Sequence, residues 1–367
     1  MPKVLFLTDW LGNGGAERQS ALLARHLPPG WECQFWSLDD GPYLHVLQET
    51  GIEVAVCKRR WKLDISPAFN LWRKVSSWRP SIIDAKGWMG ALAAVPICRA
   101  LRIPLINGSI LQGRRPVHRS SVKGLALKLA DGVIANSQAG LTAWGISPPK
   151  GVVIYNGFEK ERLKLCLPGI DHKTNCFTVI MAARMAPLKD FRSFLQAARK
   201  MSELGIPAHF MAVGNGMMQS ELIEAGKDLV HKGYLSFPEA GMEIIPFLNR
   251  ANVGVLMTNQ SIAAEGISNS IMEYMACGLP VICNNSGGNP EIVIDNETGF
   301  TISSGDVGQL VEKLIYLYNN PLISKKMGHA GYSRLRSTFT AEMMVENTVS
   351  YYKSVMNLPK FKKNGLN

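Results

Sequence analysis

Short apolar runs alternate with amphipathic stretches along almost the whole chain. In the first half, Val4–Thr8, Glu32–Trp36, Val54–Cys57, Ile82–Ala85, Pro104–Asn107, Gly132–Ala135 and Val152–Tyr155 read as strands. In the second half the same signal falls on Phe177–Ala182, His209–Val213, Leu229–Gly233, Val253–Met257, Val281–Cys283 and Gly299–Ile302. Helical patterns cover Phe191–Leu204, Met218–Asp228, Gln309–Tyr318 and Glu342–Met356. Strands that alternate with helices imply parallel sheets built from βαβ units. A chain of 367 residues exceeds what one hydrophobic core usually supports, and Leu163–Asn175, with its Pro168-Gly169 pair, reads as the break. The expected architecture is two doubly wound α/β domains, residues 1–165 and 166–339, with a terminal helix at about 340–358 returning to the first.

The chemistry concentrates in residues 265–290, EGISNSIMEYMACGLPVICNNSGGNP. Ser268, Asn269 and Ser270 are all good N-caps, so a helix begins among them and Glu273 falls in its first turn or two, with Glu265 in the preceding loop. The N–H groups and positive dipole end of such a helix attract a diphosphate. Carboxylates on either side would accept hydrogen bonds from the vicinal hydroxyls of a ribose and a hexose. Taken alone, the pair reads more simply as a helix-terminus glutamate and a solvated loop charge, and the surrounding residues decide between the two readings. Arg184 and Lys189 share one strand-to-helix loop, where two cations can neutralise a leaving diphosphate. Gly12-Asn13-Gly14-Gly15 opens the first helix, as a site of close backbone approach or as a tight turn for packing. It fails as a dinucleotide fingerprint because Glu17 stands where GxGxxG needs its last glycine. Gly214-Asn215 is a second strand-to-helix turn of this kind.

Residues 265–293, EGISNSIMEYMACGLPVICNNSGGNPEIV, resemble the signature of the retaining glycosyltransferase family 4, also called glycosyl transferases group 1. That signature is Glu, seven residues, Glu, followed by a GLPV strand and a GG-x-PE turn. The resemblance implies the GT-B fold, two Rossmann-like doubly wound domains facing each other across a cleft. It also implies transfer of a hexose or hexose derivative from a nucleotide-diphosphate sugar, with retention of configuration. The acceptor would be a glycan or lipid-linked molecule in cell-surface polysaccharide or glycolipid synthesis. By position it assigns catalytic roles to Arg184, Lys189 and Glu265. Donor contacts fall on Gly14, Gly15, Gly214, Asn215, Gly233, Tyr234, Leu235, Gly266, Ile267, Ser268, Asn269, Ser270 and Glu273. Glu265 would orient the hexose, Glu273 the ribose, and the backbone of 233–235 would meet the nucleobase.

The chain departs from the family at a histidine that many members place in the acceptor domain. It reads DAKGWMG at 84–90 and INGSILQGRRPVH at 106–118, where His118 follows the expected loop and reads as a surface residue among arginines. Lys86, Asn107, Ser109, Arg114, Arg115 and His118 are the acceptor-side candidates. With no Asp-x-Asp motif, no metal is expected; no cofactor is implied, and a UDP-sugar is favoured as donor. A Rossmann dehydrogenase is the rival nucleotide binder, and a non-catalytic scaffold of the same fold stays open at this point.

Composition adds two things. The apolar run Val4–Leu7 ends before Asp9, as in a first strand rather than a signal peptide, and Arg99 and Arg102 interrupt the longest apolar stretch. Seven cysteines without CxxC spacing read as reduced thiols of a cytoplasmic protein. The net charge of +11 is uneven: residues 1–170 hold 22 basic against 12 acidic side chains. The cations cluster at 58–62, at Arg73, Lys74 and Arg79, and at Arg114, Arg115, Arg119 and Lys123, with Trp61, Trp72 and Trp78 among them. They form either a solvated face whose tryptophans turn inward or a surface for an anionic bilayer, which would make the protein peripheral on the inner membrane face. No nucleic-acid recognition motif accompanies them.

Overall fold

The computed structural model describes residues 1–361 apart from 13, 62–63, 114–119, 169–175, 240 and 242. Of the candidates above, Arg114, Arg115 and His118 lie outside the described residues. Two compact units are present, one of 1–111, 115–157 and 341–367, the other of 112–114 and 158–340.

The first unit is built on strands Lys3–Thr8 (β1), Glu32–Ser37 (β2), Val54–Val56 (β3), Ile82–Ala85 (β4), Leu105–Ile110 (β5), Gly132–Ala135 (β6) and Gly151–Val153 (β7). Helices Gly15–Arg25 (α1), Tyr43–Glu49 (α2), Ser66–Trp78 (α3), Trp88–Leu101 (α4), Ser120–Leu129 (α5) and Gln138–Trp144 (α6) connect them. All strand pairs are parallel, in the order β3-β2-β1-β4-β5-β6-β7. β1 shows why: Val4, Leu5, Phe6 and Leu7 are all fully buried, as a strand covered by helices on both faces requires. The chain leaves β1 in one direction and returns to β4 on its other side, so the sheet reverses between these two strands.

The second unit begins with helix Lys160–Leu163 (α7) and carries strands Phe177–Ala182 (β8), Ala208–Val213 (β9), Leu235–Ser236 (β10), Val253–Leu256 (β11), Val281–Asn284 (β12) and Gly299–Ile302 (β13). Its helices are Phe191–Glu203 (α8), Gln219–Ala225 (α9), Lys227–His231 (α10), Ile245–Leu248 (α11), Asn269–Ala276 (α12), Asn289–Ile292 (α13), Val307–Asn319 (α14) and Pro321–Thr338 (α15). The order β10-β9-β8-β11-β12-β13 reverses between β8 and β11. In α8, Phe191, Phe194, Leu195, Ala198 and Met201 recur on one face, which packs into the core of this unit. The last helix, Ala341–Met356 (α16), belongs to the first unit, where Tyr351 accepts from Val133 N–H at 3.1 Å and Tyr352 donates to Asp84.

Two expectations differ from the structure, and one helix has no sequence signal. Leu229–Gly233 is not a strand: Leu229 and Val230 lie in α10, and Gly233, at φ +79°, ends it by donating to Val230 O at 3.0 Å. Only Leu229 of the apolar pair is buried, so two adjacent apolar residues gave a strand signal that a short helix and left-handed turn satisfy. Helix α15 escapes apolar periodicity because it docks through small residues, with Gly328 so close to Gly278 that an added Cβ would lie 1.8 Å from its carbonyl oxygen. The division between the units falls at 157/158, ahead of the proline-glycine break. Residues 158–167 are tied into the second unit by Phe158 N–H on Phe339 O (2.8 Å), Leu167 N–H on Asn249 Oδ1 (3.0 Å) and Asn249 Nδ2 on Leu165 O (2.9 Å).

Candidate active site

In an open α/β sheet, ligands bind beyond the carboxyl ends of the strands where the strand order reverses. In the second unit that place lies between the loops following β8 and β11, and Lys189, Glu265 and the start of α12 come together there. The β8 loop is laced on both sides: Met185 N–H donates to Asn215 O (2.8 Å), Asn259 N–H to Leu188 O and Asp190 N–H to Met257 O (both 2.9 Å). Asp190 then caps α8 by accepting from Ser193 N–H at 3.1 Å. Gly214, at φ +133°, lets the β9 loop approach, since a Cβ there would lie 2.1 Å from Ala183 O. The lacing carries Lys189 to Glu265: Nζ donates to Oε1, and Thr258 Oγ1 stands 3.3 Å from the same oxygen. Both side chains are about one-seventh exposed, at 14% and 15%. Sequence reasoning sent Lys189 to the diphosphate and Glu265 to the sugar; the structure pairs them directly.

Glu265 is fixed through its backbone too. Its carbonyl accepts from Gly288 N–H at 2.8 Å and from Gly113 N–H at 3.0 Å. Gly287 sits at φ +58°, with the place of a Cβ only 2.1 Å from Glu265 O. The GG turn of the signature is thus the floor beneath the loop that bears Glu265. Gly287→Ala is expected to cost about 1–3 kcal/mol from the left-handed backbone alone, with a further loss from displacing Glu265. A urea melt alongside a turnover assay checks this; wild-type behaviour in both would refute the floor role.

Helix α12 starts where the sequence places it, with Ser268 as N-cap and Glu273 in the second turn. Its start is anchored to the sheet: Ser270 Oγ donates to Ala182 O at 2.8 Å, while buried Tyr274 accepts from Ala182 N–H at 2.7 Å and donates to Val255 O at 3.1 Å. The first-turn N–H groups, which have no acceptor inside the helix, therefore stand at the ends of β8 and β11. Gly266 and Ile267, both buried, lead from Glu265 to that turn. Glu273 pairs elsewhere, accepting from Arg162 Nη1 at 2.9 Å with its side chain 5% exposed. Arg162 Nη2 reaches Glu243 at 2.9 Å. Arg162 has no motif around it and was missed; only the fold brings it 111 positions to Glu273. Arg184 is exposed on the same loop as Lys189, and Tyr234 and Leu235 lead from the α10 turn into β10.

The first unit has a cavity of about 240 Å³ at its own reversal point, lined by Thr8, Asp9, Trp10, Ala16, Glu17, Ser20, Lys86, Gly87, Trp88, Ser109, Leu111 and Lys123. Asp9 accepts from Gly90 N–H (2.9 Å) and Met89 N–H (3.2 Å) at the start of α4, and burial raises its affinity for a proton. Gly87 is required beside it, because a Cβ would overlap the Asp9 carboxylate at 2.1 Å. Lys86 lines the cavity and pairs with fully buried Asp84 at 2.7 Å. Thr8 Oγ1 is buried with no hydrogen-bond partner among the described residues. Ser109 lines the cavity, whereas Asn107 does not: it is fully buried and accepts from Ser109 N–H (3.0 Å) and Oγ (2.6 Å), where the register of β5 against β6 shifts. Gly14 caps α1 in an extended conformation at φ −118°, so no left-handed backbone is needed there.

Two family models match, Glycosyltransferase Family 4 over residues 13–162 and Glycosyl transferases group 1 over residues 169–334. The capsular polysaccharide biosynthesis glycosyltransferase CapM of Staphylococcus aureus is 22% identical over 76% of this chain and 78% of its own length. A GDP-mannose-dependent monoacylated alpha-(1-6)-phosphatidylinositol monomannoside mannosyltransferase of Corynebacterium glutamicum is 29% identical over 47% of this chain and 46% of its own. Among solved structures, Anabaena HepE in complex with UDP and glucose superposes with a TM-score of 0.83, at 20% identity, covering 96% of this chain and all of that one. With a GT-B fold along its length and both models matched in chain order, the protein belongs to glycosyltransferase family 4 and is a hexosyltransferase.

Proposed function

We propose that the chain moves a hexose from a nucleotide-diphosphate sugar, with retention of configuration, to a glycan or lipid-linked acceptor in cell-surface polysaccharide or glycolipid synthesis. The observation that carries this reading is the Glu265 carboxylate, fixed by Lys189 and Thr258 beside the N-terminus of α12. Glu265 orients the hexose, and Glu273, held by Arg162, takes the ribose hydroxyls. Arg184, Lys189 and the N–H groups at Ser268–Ser270 receive the diphosphate as the C1–O bond breaks and its electron pair passes to the leaving phosphate. C1 bonds to the acceptor oxygen, whose proton leaves with the diphosphate. Gly214, Asn215 and the backbone of Gly233, Tyr234 and Leu235 complete the donor contacts of the second unit, and Gly14 and Gly15 are proposed as donor contacts as well. Lys86 and Ser109 serve the acceptor, with Asn107 holding Ser109 in place.

UDP is the proposed nucleotide, a reading supported by the UDP complexes of HepE and opposed by the GDP-mannose dependence of the Corynebacterium relative. Thermal shift against UDP, GDP and ADP separates them. A nucleotide at a hundred times its Kd stabilises the native state by about 2.7 kcal/mol, equivalent to roughly 5–10 °C for a unit of this size. UDP is expected to give the largest shift, reduced in Lys189→Met; a larger shift with GDP or ADP would reassign the donor. The acceptor is proposed to lie at an anionic membrane surface. No helix among the described residues is long and apolar enough to cross a membrane.

A further inference from the structure

The first unit exposes large apolar side chains that its fold does not use. Ile65 is 81% exposed, Phe69 62% and Trp72 40%, and Trp61, just ahead of them, is 61% exposed. Positions 65, 69 and 72 are i, i+4 and i+7, so Ile65, the N-cap of α3, continues the row that Phe69 and Trp72 form along the helix. The opposite row, Pro67, Leu71 and Val75, is buried. The helix is therefore apolar on both sides, and only one side is covered by the described residues of the unit. Trp61 is held near the row because Asp64 folds the preceding turn, accepting from Arg60 N–H and Ser66 N–H at 2.9 Å each. Trp78 behaves differently: it is half-buried, with the Lys3 ammonium 5.4 Å from its ring. The three tryptophans of the basic segment thus divide, two outward and one inward.

Cations border the row. Arg59, Arg60, Arg73 and Arg79 are all exposed, in the half of the chain that carries most of the excess positive charge. Exposed aromatic and aliphatic side chains flanked by arginines match the boundary between anionic headgroups and acyl chains, where rings and side-chain stems enter and guanidinium groups stay at phosphate level. Arg59 also acts electrostatically on Asp9, which places the basic flank near the cavity lined by Asp9, Lys86 and Ser109.

We infer that the surface formed by Trp61, Ile65 and the Phe69–Trp72 row of α3 docks the protein on an anionic lipid bilayer, with Arg59, Arg60 and Arg73 at the headgroups. The docked face brings the neighbouring cavity to the membrane surface, so the acceptor is a sugar carried on a lipid. This rests on the transferase reading for its purpose, but its test does not depend on that reading. Co-sedimentation with phosphatidylcholine vesicles containing phosphatidylglycerol is measured for wild type, Ile65→Ser/Phe69→Ser and Arg59→Glu/Arg60→Glu, with light scattering of each protein alone. Wild type should bind the anionic vesicles and not pure phosphatidylcholine. Each double variant should bind about tenfold more weakly or less, and raised salt should release the wild type.

Equal binding by Ile65→Ser/Phe69→Ser, equal binding to neutral vesicles, or no binding at all would overturn the inference. A wild-type dimer abolished by the same variant would give the face to a second copy instead. The UDP-induced thermal shift is recorded in parallel, and Ile65→Ser/Phe69→Ser should retain it. Vesicle binding without any nucleotide shift would leave the docking face standing while the transferase reading fails.

Discussion

Glu265→Gln is expected to lower kcat by about 100-fold, the cost of misplacing a reacting group by about 1 Å, while KM for the donor changes little. Glutamine keeps the shape and the oxygen that meets Thr258, so the loop stays closed over the Gly287-Gly288 floor. What it loses is the charge that fixes Lys189. With its side chain only 14% exposed, that ammonium then lacks its carboxylate, and the Glu265 position loses the charged contact that holds it in register with the sugar. Lys189→Met should differ by lowering kcat and weakening nucleotide binding together, since it removes charge from the leaving group. Steady-state kinetics of both variants separates the roles. A Glu265→Gln enzyme within a few-fold of wild type would remove Glu265 from the reaction.

Arg162→Ala is expected to destabilise the second unit by about 3–5 kcal/mol, because breaking a buried pair leaves one charge without its partner. Glu273 is 5% exposed and Arg162 12%, which places the pair in that class; Glu243, at 43%, adds little to stability. The melting temperature should fall by roughly 6–12 °C or more. Arg162→Lys should recover only part of the loss, because an ammonium cannot serve Glu273 and Glu243 in the forked geometry of a guanidinium. If Glu273 holds the ribose, the lysine variant should raise donor KM with kcat nearly unchanged. The double variant Arg162→Met/Glu273→Gln should be more stable than Arg162→Ala, since it removes both charges. A Tm for Arg162→Ala within 2 °C of wild type would show that the pair contributes little.

What was legible in the sequence follows the range of the interactions. Buried parallel strands announce themselves as apolar runs, so β1, β8 and β9 were found within a residue at their starts and ends. The carboxylates were legible because the turn, helix start and GLPV strand that position them are contiguous. Contacts between distant segments were not. Arg162 sits in a four-residue helix, and nothing near it signals that its guanidinium will meet Glu273. The Lys189–Glu265 pair was invisible for the same reason, although both residues had been singled out. Asn107 reads as a pocket residue because a buried amide at a strand irregularity and a pocket-lining one look alike in sequence. Ile65 and Phe69 carry no sequence signal of exposure, because apolar residues at helical spacing suggest a core face, and here the core lies on the other side of α3.

The central claim is hexose transfer from a nucleotide-diphosphate sugar through the Glu265 segment. It is tested most directly by incubating wild type and Glu265→Gln with a panel of UDP-, GDP- and ADP-hexoses, with and without lipid-linked sugar acceptors, and measuring release of the nucleoside diphosphate. Acceptor-dependent release by the wild type from at least one donor, reduced by about 100-fold in Glu265→Gln, is the predicted result. No release above the uncatalysed rate with any donor and acceptor, or equal release by the variant, would contradict it.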